Sequence, residues 1–159
     1  MSRRRVVVTG LGIISPVGNS VSEAWQNILA GCSGIDRITR FDASDFPVRI
    51  AGEVRGFDLS QYLSPKEARR MDVFIHYGMA AGIQAIRDAG LDTRPAEPDR
   101  VGVSIGSGIG GLPMIETTCD DYAAGGVRKV SPFFVPGSII NMISGNLSIM
   151  FGYKGPNIS

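Results

Sequence analysis

Glycine, cysteine and clustered arginine and lysine are the residues in this sequence whose spacing could do chemistry. The run Gly106-Ser-Gly-Ile-Gly-Gly111 puts Gly106, Gly108 and Gly111 in the Gly-x-Gly-x-x-Gly pattern. Between a strand and a helix, that pattern lets backbone N–H groups close on a dinucleotide pyrophosphate. The same chemistry asks for an acid on the ribose about 20 residues further on, where the chain reads Gly125-Gly126-Val127-Arg128. Asp120 and Asp121 fall inside a predicted helix instead. The earlier Gly10-Leu-Gly12-Ile-Ile-Ser15 lacks the third glycine. Tight turns and close packing are the competing use of these glycines; a free-standing dinucleotide-binding module is the alternative they leave open.

Cys32 and Cys119 are too few and too far apart for a disulfide framework or a zinc motif. They read as buried or incidental thiols in a reducing, cytoplasmic compartment. His76 is the single histidine, so no catalytic or metal-binding pair of histidines can form within these residues. We expect no metal, and a structural role for His76 on a helix. Two basic clusters remain: Lys66, Arg69 and Arg70, and the pair Arg128 and Lys129. Lys and Arg total 16 against 15 Asp and Glu, a net charge of +1. That balance excludes a generally basic nucleic-acid-binding domain and an acidic disordered tail. The clusters are therefore local, and by themselves read as solvated helix faces.

The elements that must carry these residues follow from patterning. A chain of 159 residues has room for one domain of the usual roughly 100–200 residues. Charged residues make up 19%, and the 21 glycines in 159 residues are about 13%, against typical values of ~25% and ~7%. A hydrophobic content of 43% with mean hydropathy +0.11 is enough for a core. Together these point to strands buried on both faces, tight turns and a large subunit interface. Arg5–Thr9 reads as a buried strand ending at Gly10, and Val48–Val54 as a second, partly exposed one. Ser20 or Ser22 can cap a helix carrying Ala24, Trp25, Ile28 and Leu29, ended by Gly31 or Gly34. Ser64-Pro65-Lys66-Glu67 has the form of a capping box with proline in the first turn. Met71, Ile75, Met79, Gly82, Ile83, Ile86 and Ala89 continue that helix to Gly90. Arg100–Ile105 is a strand entering the glycine loop, and Met114–Ala124 a helix after it. Ile139, Ile140, Ile143, Leu147, Met150 and Phe151 form a last stripe closed by Gly152, on a helix expected to be covered on most sides. Strands alternating with helices imply an α/β fold with a parallel sheet.

Ser2-Arg3-Arg4-Arg5 before Val6-Val7-Val8 has the charge of an export signal, but Thr9, Gly10 and Gly12 interrupt the apolar run. Val130 to Tyr153 is uncharged and long enough to raise the membrane question, yet Pro132 and Pro136 break it and polar residues dot the rest. Buried helix is the better reading of that stretch.

Several segments together identify more than any one motif. Arg5-Val-Val-Val-Thr-Gly-Leu-Gly-Ile13, Ser15-Pro-Val-Gly18, Gly106–Gly111, Ser131-Pro-Phe-Phe-Val-Pro-Gly137, Ser138–Ile143 and Gly155-Pro-Asn-Ile-Ser159 occur in this order. In them the chain resembles, over essentially its whole length, the N-terminal part of the β-ketoacyl-[acyl-carrier-protein] synthases. The type II elongating class of bacterial fatty acid synthesis fits best, because type I synthases differ in the glycine loop and in the Ser131–Gly137 segment.

The resemblance implies a thiolase-like fold, two similar α/β halves packed in five layers, working as a homodimer. Residues 1–159 would then be an incomplete N-terminal domain, half of an αβαβα arrangement with a mostly parallel mixed sheet. It would stop just before the nucleophile segment, with the catalytic cysteine shortly beyond Ser159 and no catalytic residue within the chain. Neither Cys32 nor Cys119 aligns with that nucleophile. By the same resemblance Gly108 and Ile109 line the acyl pocket, and Phe134 reaches toward the pocket of the partner subunit. Lys66, Arg69, Arg70, Arg128 and Lys129 would contact acidic acyl carrier protein, acyl- or malonyl-loaded. No cofactor, nucleic acid or membrane partner is implied. An inactive chain-length or interaction subunit of a polyketide-type synthase, lacking the cysteine, is the second alternative.

Overall fold

The structure is a computed structural model and describes residues 4–93 and 95–159, so Met1, Ser2 and Arg3 of the basic start lie outside it. Its core is a pair of helices. Helix α3 (Val73–Asp88) presents Ile75, Met79 and Ile83, all at most 1% exposed, to Ile143 and Leu147 of a later helix, Met142–Phe151. Leu63 closes one end of this cluster. The two helices approach closely because α3 has glycine where they meet. A methyl on Gly78 or Gly82 would stand 2.5 Å from Ile143 Cδ1 or Leu147 Cδ1 respectively, well inside van der Waals contact.

Ahead of this core lie α1 (Val21–Leu29) and a two-stranded antiparallel ribbon, β1 (Ile35–Arg37) and β2 (Ile50–Gly52). Ser20 caps α1 by accepting the Glu23 N–H, and Gly31 ends it with φ +69°, a left-handed conformation that favours glycine. In the ribbon Ile35 faces Gly52 and Arg37 faces Ile50. The predicted Val48–Val54 strand is thus confined to its centre. Its partner β1 reads Ile-Asp-Arg and carries no alternation that sequence could reveal.

The capping box forms as expected. The Ser64 side chain accepts the Glu67 N–H, and the Glu67 carboxylate accepts the Ser64 N–H in return. The helix it starts, α2 (Pro65–Ala68), nevertheless lasts only four residues. The single helix expected from the Ser64 cap to Gly90 is broken at Arg69–Asp72. Asp72 stands in extended backbone, φ −69° and ψ 159°, and begins α3 as a second N-cap, taking the Phe74 N–H. Its own N–H turns aside to Gly137 O at 3.0 Å. His76 Nε2 lies 3.0 Å from Ala68 O and stitches the two helices across the break.

The Ser64 hydroxyl, and then the Ser64 N–H, hold the Glu67 carboxyl below its ordinary pKa. A depressed acid contributes stability above its unfolded pKa and loses it as pH falls through the folded value. NMR titration should therefore find the Glu67 carboxyl acid-shifted, and Ser64→Ala, which removes the hydroxyl and keeps the N–H, should move it part of the way back toward the ordinary glutamate range while weakening the turn by about 1 kcal/mol. An unchanged titration in Ser64→Ala would refute the pairing.

The second half of the chain is a parallel crossover. Strand β3 (Val103–Ser104) runs into the glycine loop, then α4 (Leu112–Gly125), α5 (Phe134–Ser138) and α6 (Met142–Phe151), and returns as β4 (Asn157–Ile158). Val103 faces Asn157 and Ser104 faces Ile158 in parallel register. The predicted Arg100–Ile105 strand is shorter because Pro98–Arg100 forms a 3₁₀ turn. Asn157 fastens β4 to α6: its amide donates to Ser144 O (3.0 Å) and Ser148 Oγ (2.7 Å) and accepts from Ser144 Oγ (2.8 Å).

Two expectations about burial need correction. Arg5–Thr9 forms no strand, and Val6 and Val8 are 90% and 80% exposed. Among the described residues no strand pairs with this segment. Its continuation is seated on α3 instead, with Leu11 N–H on Asp88 Oδ2 and Ile13 N–H on Gln84 Oε1. Helix α6 is buried along Ile143, Ser144 and Leu147 only; Ile149 on its other side is 80% exposed. The uncharged 130–153 stretch is divided between short helices, and among the described residues no helix is long and apolar enough to cross a membrane.

Candidate functional site

The glycine loop, the α2–α3 junction and α5 meet at one place, and most of the sequence candidates lie around it. Gly110 has φ +87°, and a Cβ there would fall 2.5 Å from Ser138 O. The Gly111 N–H donates to Ser138 O at 2.8 Å, and a Cβ on Gly111 would stand 2.9 Å from Asp72 Cβ. These two glycines are close-packing glycines. Gly106 and Gly108 have open space where a Cβ would go, so the packing of this chain does not demand glycine at either.

Helix α4 begins at once after Gly111, with Pro113 in its first turn. Its N-terminus is already occupied. Asp72 Oδ2 accepts the Met114 N–H at 2.8 Å, Gly110 O takes the Leu112 N–H, and Ser107 Oγ takes the Gly110 N–H. A pyrophosphate would have to displace these partners and meet a buried carboxylate of the same sign. The dinucleotide-binding alternative is set aside on that ground.

Ile109 rides at the crest of this loop, 69% exposed, beside exposed Gly108. Phe134 opens α5 and is half-buried. Ser138 links the two: its carbonyl receives the Gly111 N–H, and its hydroxyl donates to Phe134 O at 2.7 Å. Residues separated in sequence are thus held on one small scaffold.

Of the basic candidates, Lys66 lies in α2 while Arg69 and Arg70 lie in the turn after it, not in a continuing helix. Arg70 stacks over the Phe133 ring, its guanidinium carbon 4.3 Å from the centroid. A groove of about 250 Å³ runs between them, lined by Glu67, Arg70, Met71, Phe133, Pro136, Met142 and Asn146. Arg128 and Lys129 occupy the 3₁₀ turn Gly126–Lys129. Among the described residues the salt bridges join Arg55 to Asp36 and Arg100 to Glu97, and none of the five basic candidates takes part. All five are exposed, although Arg69 Nε donates to Pro65 O at 3.1 Å.

Cys32 and Cys119 are free and exposed, which removes the expectation that they are buried. Sequence reasoning missed Asp72, the residue on which the junction turns. The available signal was an aspartate directly before the apolar run that starts at Val73, the position of an N-cap. The stronger Ser64 box upstream obscured it.

Residues 3–159 match the family described as "Beta-ketoacyl synthase, N-terminal domain". The chain is 59% identical over 159 residues to the 3-oxoacyl-[acyl-carrier-protein] synthase 2 of Vibrio cholerae, and 55% identical to that of Coxiella burnetii. It is covered completely in both comparisons and spans 38% of the length of each relative. Among solved structures, the ishigamide ketosynthase/chain length factor superposes with TM-score 0.78 at 28% identity, covering 99% of this chain and 39% of that one. A ketosynthase in complex with its type II PKS acyl-carrier protein gives TM-score 0.75 at 26% identity, covering 96% of this chain and 40% of that one. The fold class is accordingly thiolase-like α/β, as the sequence resemblance implied. A glycine loop packed on Asp72 and Ser138, a parallel crossover back to Gly155–Ser159 and a family match running from residue 3 to 159 lead to one assignment: the chain belongs to the β-ketoacyl synthases, of which it carries the N-terminal domain segment.

Proposed function

We propose that this chain is the N-terminal portion of a 3-oxoacyl-[acyl-carrier-protein] synthase that lengthens fatty acyl chains by two carbons. The observation that carries the reading is the attachment of the Ile109 loop and of Phe134 to one Ser138 scaffold, near exposed basic side chains that enter no salt bridge among the described residues. In this reaction an acyl group passes from carrier protein to a cysteine thiolate, which displaces the carrier thiol. Malonyl carrier protein then loses CO₂, and its carbanion attacks the acyl-enzyme and expels the thiolate, giving the 3-oxoacyl product. The thiolate and the groups that stabilise the enolate oxygen belong to the rest of the polypeptide, the nucleophile following shortly after Ser159. Gly108, Ile109 and Phe134 shape the space for the acyl chain, Phe134 in the pocket of a second subunit of a cytoplasmic homodimer. Lys66, Arg69, Arg70, Arg128 and Lys129 receive the acidic carrier protein.

Likeness to a ketosynthase/chain length factor supports a second reading, an inactive subunit that sets chain length. A cysteine at the nucleophile position of the complete polypeptide excludes it.

Docking is tested by charge reversal. In the complete synthase, Lys66→Glu with Arg69→Glu should raise KM for carrier protein about tenfold at low salt with little change in kcat. The gap should narrow as salt rises, since exposed charges are screened within about 10 Å at 0.1 M. An unchanged KM at low salt would remove these residues from the docking surface.

A further inference from the structure

We propose that Asp72 is a positioning residue for acyl-chain discrimination: one carboxylate caps α3 and α4 together and so holds the loop bearing Ile109 against the helix bearing Phe134. The inference rests on the reading of Ile109 and Phe134 as pocket residues. Asp72 is only 5% exposed, and each carboxylate oxygen has its own helix to serve. Oδ1 takes the Phe74 N–H of α3 at 3.2 Å, and Oδ2 takes the Met114 N–H of α4 at 2.8 Å. Its backbone N–H, donated to Gly137 O at 3.0 Å, adds α5 to the same joint.

Aspartate suits this joint better than the other residues that cap helices. Two N–H donors from different helices need two acceptors on a short side chain, and a carboxylate supplies both. Asparagine would turn an NH₂ toward one of the donors, and serine offers a single oxygen. Gly111 also yields its Cβ space to the Asp72 side chain, so loop and acid fit together as a pair. The loop's other ties are the Gly111 N–H to Ser138 O at 2.8 Å and the Gly110 N–H to Ser107 Oγ at 3.2 Å, neither of which reaches α3. If the α4 cap is lost, Ile109 keeps its side chain but loses the support that sets its height in the pocket. Arg69 and Arg70 immediately precede Asp72, so the docking turn and the pocket loop share this one anchor.

The test uses the complete synthase with Asp72→Ser and Asp72→Asn, read by kcat/KM on a long and a short acyl carrier protein and by amide hydrogen exchange. Serine keeps an N-cap oxygen for α3 and leaves none for Met114, so the core helix retains its start. We expect exchange at Met114 to speed up about tenfold or more in Asp72→Ser, with Phe74 still protected. The long-to-short ratio of kcat/KM should change about five- to tenfold in both variants. A merely structural role would lower both substrates alike and leave that ratio at its wild-type value, which overturns the proposal. Ile109→Phe run beside them separates the two possible failures. A ratio moved by Ile109→Phe and not by either Asp72 variant sinks the role of Asp72 alone. A ratio moved by none of the three sinks the pocket reading and this inference with it.

Discussion

Ile109→Phe in the complete synthase is expected to lower kcat/KM for long acyl chains by up to about 100-fold while leaving short chains within about twofold. The reason is local and steric. Gly110 and Gly111 on the C-terminal side of Ile109 leave little room to retreat, since even a Cβ there would stand 2.5 Å from Ser138 O or 2.9 Å from Asp72 Cβ respectively. A ring larger than the isoleucine side chain must therefore project away from α4, into the space that the proposed function assigns to the acyl chain. Overpacking of a formed site costs typically about 1–3 kcal/mol, and each 1.4 kcal/mol is about a factor of ten. Only a chain long enough to reach the ring meets that cost. Steady-state kinetics across acyl lengths reads the effect directly, and long-chain turnover at the wild-type level would place Ile109 outside the pocket.

The second large effect lies in the seam between α3 and α6. Leu147 is 1% exposed and fills the groove over Gly82. Leu147→Ala should cost about 2–5 kcal/mol of stability, the transfer term plus the cavity left behind. Gly82→Ala should also destabilise, because its methyl would stand 2.5 Å from Leu147 Cδ1. The pair should not add. In the Leu147→Ala background the new methyl enters vacated space, so the double variant should be more stable than the sum of the single losses by about 1 kcal/mol or more. Urea unfolding of the complete protein measures the cycle. Additive losses would show that the two helices adjust their separation freely, against the packing described above.

Much of the local structure was legible in the sequence because its causes are local. Ser20 and Ser64 cap helices since each places a hydroxyl beside free N–H groups a few residues on, whatever the surroundings. The apolar stripe of α3 and the strand entering the glycine loop were readable from periodicity and β-branched patterning. The ordered segments from Arg5 to Ser159 identified the family, which the match over residues 3–159 bears out.

What sequence could not show depends on long-range partners. Arg5–Thr9 has a β-branched strand pattern, but a strand exists only where another chain segment offers its hydrogen bonds, and here the continuation of that segment bonds to Asp88 and Gln84 of α3. The helix expected to run on from Ser64 breaks at Arg69–Asp72 because Asp72 finds Gly137, Met114 and Phe74 in three separate elements, contacts spanning up to 65 residues that no local propensity encodes. The glycine loop matched a phosphate-binding spacing, and tertiary structure alone decided that a carboxylate of the same chain already fills the helix end it points to. Patterns set by one residue and its near neighbours were determined by the sequence itself; the use to which each pattern is put was decided by which distant group arrives beside it.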